Sequence, residues 1–184
     1  MKRPVWLLIG VVLAVLAAWW FLRSGGRESV AVSLIDQFPT ATDKRPNPET
    51  FEIVQAKLGD RTLPAVFAKG PSRLVYTVTV PEKGALKFSL GIKEEGWTMQ
   101  GDGVLFRVLL GAGGPPEEIM NVTLNPFANT SDRGWRDMTL DLAEYSGEKV
   151  DLFFNTNSSG PGRPPRDDRN GDFALWGEPR LVAQ

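Results

Sequence analysis

The chain has 184 residues, with 21 Lys and Arg against 22 Asp and Glu, a net charge of −1, and neither cysteine nor histidine. Those two absences exclude disulfides, thiol nucleophiles, thiolate metal sites, Ser-His-Asp triads and histidine ligation of zinc, copper or haem. Charges of both signs are interspersed with no basic stripe, which argues against nucleic acid as a partner. Carboxylates, lysine and oxygen-ligated hard cations are the chemistry that remains.

In chain order, residues 1–4 carry Lys2 and Arg3, and Val5 to Leu22 then form an uncharged apolar run. As a helix the run spans roughly 27 Å, close to the hydrocarbon thickness of a bilayer. Val15-Leu16-Ala17 resembles a loose signal-peptide cleavage site, but the apolar residues that follow it favour an uncleaved anchor. Trp19 and Trp20 then sit at the membrane interface, and the early positive charges place the N-terminus in the cytoplasm. Gly10, Ala14 and Ala18 recur at every fourth position. Such a stripe lets another membrane helix approach closely, although Gly and Ala are also common in membrane helices generally. The expected setting is a bacterial inner membrane, crossed once, with the remainder of the chain periplasmic.

Residues 23–28 read as a short Gly-containing tether, and 29–184 as one domain. Beyond the tether, apolar residues alternate or run in short bursts between Gly, Pro, Asn and Asp, the pattern of strands. The expected strands are Ser29–Ile35, Phe51–Leu58, Thr62–Ala68, Arg73–Val80, Ala85–Gly91, Val104–Leu110, Ile119–Leu124, Met138–Leu142, Lys149–Asn155 and Phe173–Val182. Leu58-Gly59-Asp60-Arg61 reads as a hairpin turn, Pro81–Gly84 as a tight connection and Ala143–Gly147 as a helical turn. Leu74, Tyr76, Val78 and Val80 share one face of their strand. Leu86, Phe88 and Leu90 share one face of the next, with Lys87 and Ser89 on the other. Many short strands without intervening helices predict an all-β, antiparallel jelly-roll β-sandwich behind one transmembrane α-helix. The polar segment Gln37–Thr50 is expected to cross the sandwich or meet the membrane. Gly111–Glu118 is expected as a strand-end loop, and Ser158–Asp172 is the longest loop.

Four stretches carry a resemblance: Asp102–Val108, Trp135–Leu142, Tyr145–Leu152 and Asp172–Val182. Together they cover about half the domain, and in this order they resemble the galactose-binding-domain-like jelly-roll sandwiches, a superfamily that includes many carbohydrate-binding modules. The resemblance implies the fold. For function it implies a binding role toward sugars, proteins or lipids, and a structural calcium ion in some members.

Asp168, Asn170 and Asp172 alternate within the long loop and are the candidate ligands for such a calcium ion. An EF-hand would need Gly and Glu where Phe173 and Pro179 stand. The competing reading is a solvated acidic tip balanced by Arg163, Arg166 and Arg169. Those three arginines, together with Trp97, are the candidate contacts for a ligand or partner. Trp176 reads as core and Trp135 as packed beneath a loop; Trp97 is the best candidate of the three for an exposed aromatic face, with burial the favoured reading for it too. Glu94-Glu95 and Glu117-Glu118 are acidic pairs, but nothing in the sequence sets one acid apart for glycoside hydrolysis. No catalytic residue and no cofactor beyond calcium is expected. The leading expectation is a non-catalytic scaffold or accessory subunit of a larger energy-converting or transport complex, in contact with lipid and other membrane-protein subunits. The alternative is a membrane-tethered carbohydrate-binding module with a glycan partner, and a carboxylate-dependent glycoside-active enzyme ranks third.

Overall fold

A computed structural model describes residues 29–157 and 169–183. The apolar run, with Gly10, Ala14, Ala18, Trp19 and Trp20, lies outside the described residues, as do Arg163, Arg166 and Asp168. Among the described residues no helix is long and apolar enough to cross a membrane.

The described residues form eleven strands: β1 Ser29–Ser33, β2 Asp43–Arg45, β3 Phe51–Leu58, β4 Arg61–Lys69, β5 Ser72–Thr79, β6 Ala85–Ile92, β7 Val104–Gly111, β8 Glu117–Leu124, β9 Arg136–Asp141, β10 Lys149–Asn157 and β11 Phe173–Ala183. They build two antiparallel sheets. One runs β3-β4-β11-β6-β9, with β1 also on β11, and the other runs β2-β5-β10-β7-β8. Between β4 and β11 the chain changes sheet at almost every connection, so consecutive strands face each other across the core. The Gly59-Asp60 turn joins β3 to β4, with Gly59 at φ 60°, a conformation that glycine adopts without steric cost.

The period-2 faces follow the sequence pattern. Leu74, Tyr76, Val78 and Val80 enter the core between the sheets, as do Leu86, Phe88 and Leu90. Trp176 of β11 is the centre of an aromatic cluster there. Its ring lies 5.1 Å from Phe106, 5.0 Å from Phe154 and 5.6 Å from Phe88, centroid to centroid. Edge-on and tilted pairs of this kind add to the stabilisation from burial alone.

Segment Gln37–Thr50 passes from one sheet to the other and back, from β1 of the six-stranded sheet to β2, an edge strand on β5, and on to β3; β2 lies between two short 3₁₀ turns and was not among the expected strands. The polar triplet Asp43-Lys44-Arg45 shows no alternation from which to read a strand. Trp135 does not lie under a loop. It lies on the outer face of the six-stranded sheet, with Leu58, Ala65 and Leu175, forming a second, smaller apolar cluster. Its ring rests on Gly91 and Gly177, and its indole N–H donates to the Arg61 carbonyl at 3.1 Å. A side-chain carbon at Gly177 would fall 2.8 Å from that ring, so glycine is what allows this approach.

β11 is two segments in one strand. On one side it pairs with β6 along its length. On the other it pairs with β4 over Phe173–Gly177 and with β1 over Arg180–Ala183. The handover is a bulge between Gly177 and Arg180. There Glu178 takes φ 42°, and the Pro179 carbonyl accepts from the Leu34 N–H at 2.9 Å. A proline, which has no N–H to give to a ladder, sits where the ladder is already interrupted.

Candidate binding groove

At one end of the sandwich, β4 stops at Lys69 and turns through Gly70, at φ 69°, into Pro71 and β5. The Gly70 N–H donates to the Asp172 carbonyl, and its own carbonyl accepts from the buried Thr156 hydroxyl at 2.9 Å. These bonds fix the segment entering β11 beside the β4–β5 turn. Together with Pro46, Asn47 and Glu49 they enclose a cavity of about 540 Å³ lined by Lys69, Arg169, Asp172 and Phe173.

Lys69 and Phe173 also line a second hollow of about 240 Å³, with Phe67, Lys93 and Glu95. Lys93 and Glu95 in turn border a third, of about 500 Å³, floored by Val54, Ala56, Leu58 and Leu175. Shared residues make the three hollows one groove. It runs from the end of the sandwich down the outer face of the six-stranded sheet. At its middle the Phe67 and Phe173 rings lie 6.3 Å apart, and the Lys93 ammonium stands 3.8 Å from the centroid of Phe67. An apolar floor with a few charged groups of both signs on its walls is how small-ligand sites are built. Ring faces take the C–H side of a sugar, while ammonium, guanidinium and carboxylate groups take its hydroxyls.

The residues singled out from sequence fall in different places. Trp97 is half-buried. It follows the turn Glu94–Gly96, packs on both apolar clusters and donates its indole N–H to the Ile92 carbonyl at 2.8 Å. It secures the turn that presents Glu94 and Glu95 to the groove and does not itself line the groove. Arg169 lines the cavity at the sandwich end. Asn170 is exposed, whereas Asp172 is 3 % exposed, so these two candidate calcium ligands stand in different surroundings. Among the described residues no group of three or more acidic side chains is placed to hold a metal.

Glu118 is held below the usual carboxylate range by hydrogen bonds from Asn121 and Arg107. That is the opposite of what a general acid for glycoside hydrolysis needs. Phe67, Lys69, Lys93 and Phe173 were not singled out from sequence. The signal for Phe67 was present: in β4 it shares the outward parity of Ala65 and Lys69, against inward Val66 and Ala68.

No known family model matches the chain. An uncharacterised protein of Archaeoglobus fulgidus is 34 % identical over 105 residues, covering 56 % of this chain and 25 % of that protein. The match therefore spans about a quarter of that relative's length. Solved structures resemble the chain more broadly. A Clostridium perfringens ZmpB structure, its M60 catalytic domain with two CBM51 domains, superposes over 85 % of this chain and 15 % of its own, with a TM-score of 0.57 and 16 % identity. CBM51 from Clostridium perfringens GH95, solved with methyl-galactose, covers 83 % of this chain and 99 % of its own, with a TM-score of 0.53 and 11 % identity. TmCBM61, solved with β-1,4-galactotriose, covers 77 % of this chain and 88 % of its own, with a TM-score of 0.50 and 12 % identity. The two-sheet β-sandwich is the fold this chain shares with those structures. At this level of identity the likeness establishes the fold and nothing finer.

Proposed function

We propose that the chain is a membrane-tethered, non-catalytic carbohydrate-binding module of jelly-roll type, whose groove takes a neutral oligosaccharide of the galactose class. One observation carries the reading: a Phe67–Phe173 pair with Lys93 over it, set in a groove of mixed charge on the sandwich fold shared with those carbohydrate-binding modules. Walls bearing Lys69, Lys93, Arg169, Glu49, Glu95 and Asp172 have no dominant sign, which suits a polyhydroxyl ligand without charge. The solved structures it resembles favour this reading over that of a scaffold or accessory subunit, and two of them hold galactose-containing ligands. The apolar run at 5–22 supplies the tether in this reading, with the domain on the periplasmic side.

The test is calorimetric titration of the detergent-solubilised chain with methyl-galactoside and galactotriose. The parent binds at least one of them, and Phe67→Ala and Lys93→Ala each weaken it by about tenfold, the scale of one lost ring or cation contact. Lys93 is half-buried at a strand end, so its variant tests the groove even if Phe67→Ala disturbs packing. Absence of binding, or affinity unchanged in both variants, rejects the assignment.

A further inference from the structure

The outer face of the five-stranded sheet carries a cross-strand row that no site described so far uses. Strand register places Arg45 of β2 opposite Arg73 of β5, Arg73 opposite Asn155 of β10, Asn155 opposite Arg107 of β7, and Arg107 opposite Asn121 of β8. Five side chains from five strands thus lie in line. Their neighbours Leu74, Phe154, Phe106 and Val108 point into the core, so the row lies on the outer side of the sheet, with Asn155 at its centre only 5 % exposed. Arg45, Arg73, Arg107, Asn155 and Asn157 line a shallow depression of about 430 Å³ there.

The three guanidinium groups are held alike. Arg45 bonds Asp43 through Nε at 2.7 Å, Arg73 bonds the Asn155 side-chain oxygen through Nε at 3.2 Å, and Arg107 bonds Glu118 through Nε. Among the described residues none of these contacts uses a terminal Nη group. Each side chain is therefore oriented by one bond while its planar two-pronged end is uncommitted, the geometry that accepts a carboxylate bidentately. Arg73 differs from the other two because its partner is a neutral amide, so its charge is not offset by a bonded carboxylate. It also stands over Phe153, 5.8 Å from the ring centroid.

We propose that this row is a second binding face for an acidic glycan, a polysaccharide whose sugar carboxylates are taken by Arg73 and Arg107 and whose hydroxyls are taken by Asn157, while the buried Asn155 orients Arg73. Arg73 and Arg107 sit on strands separated by one other, roughly 10 Å apart. That spacing suits carboxylates on alternate sugars of an extended chain. Asp43 and Glu118 keep the net positive charge of the strip small, which disfavours nucleic acid and anionic bilayers, since those select unopposed clusters of Lys and Arg. The Asn157 amide and the Phe153 face are sugar-recognition groups. The proposal shares with the preceding section only the class of ligand, because it concerns the other sheet and a charged target.

The experiment titrates the full-length chain with trigalacturonate and, in parallel, with neutral galactotriose. Trigalacturonate binds, and its affinity falls as salt is raised. Arg73→Gln and Arg107→Gln each weaken it by about tenfold or more, Arg73→Lys loses most of the affinity despite keeping the charge, and all three melt at the parent temperature. No trigalacturonate binding, affinity unchanged in both glutamine variants, or stronger binding to duplex DNA or phosphatidylglycerol vesicles overturns the proposal. Loss of trigalacturonate with retained galactotriose in Arg73→Gln separates the two faces. Loss of galactotriose in Lys93→Ala with retained trigalacturonate does so from the other side.

Discussion

Tyr76 places its hydroxyl between the two sheets with no hydrogen-bond partner among the described residues, its ring edge-on to Phe154 at 5.8 Å. A buried hydroxyl left unsatisfied costs about 1–3 kcal/mol. Tyr76→Phe is therefore expected to leave unfolding free energy unchanged or raise it within that range, read by urea denaturation. A clear loss of stability would mean that the hydroxyl has found a partner. The same residue makes a pH prediction. Burial pushes its phenol well above the ordinary value. Above pH ~10 an unfolded tyrosine releases its proton while the folded one keeps it, so the unfolded state binds fewer protons and stability falls as pH rises. That contribution is fully present below pH ~10. Comparing denaturation midpoints at pH 8 and pH 11 should show a smaller alkaline loss in Tyr76→Phe than in the parent. An equal loss would assign the alkaline limb to other groups.

Among the elements, β11 sets most of the architecture, because it pairs with three other strands and contributes to both apolar clusters. Trp176 on its inner face was legible as core from its place in the closing strand stretch, Asp172–Val182. The contact between Gly177 and Trp135 was not legible: the two lie 42 positions apart, and only the placing of the segment before β9 over the sheet brings them together. Gly177→Ala should force that ring aside. The expected cost is 1–3 kcal/mol, the usual penalty for overpacking, with a shift in tryptophan emission as Trp135 moves into water. Unchanged emission and stability would show that the ring can slide without loss. The same reasoning explains what the sequence withheld about the groove. Hydrophobic period revealed ten of the eleven strands, because each needs only its own neighbours to be read. Phe67, Lys93 and Phe173 come from three separate stretches of chain, and each alone is an ordinary residue of a strand or of the position just after one. Only the pairing of β4 and β6 on either side of β11 sets them side by side. The arginine row is hidden for the same reason, since register across five strands is a tertiary property.

At the scale of the whole molecule, the apolar run predicts a measurable address. The chain should sediment with membranes and resist extraction by high salt and alkaline carbonate, while a chain beginning at Ser29 should stay in the supernatant. Recovery of both in the soluble fraction would remove the tether. Ser29 pairs with Ala183, so the incoming strand meets the closing strand at one pole, whereas Phe173, at the start of that same strand, borders the groove at the other. Ten residue steps of extended chain separate the poles by roughly 30 Å. Were the domain held by its first strand on the proposed tether, the groove end would be the one turned away from the lipid, raised by up to about that distance. Polymers at that height would then come within reach, while sugars on the headgroups themselves would lie too low to be caught.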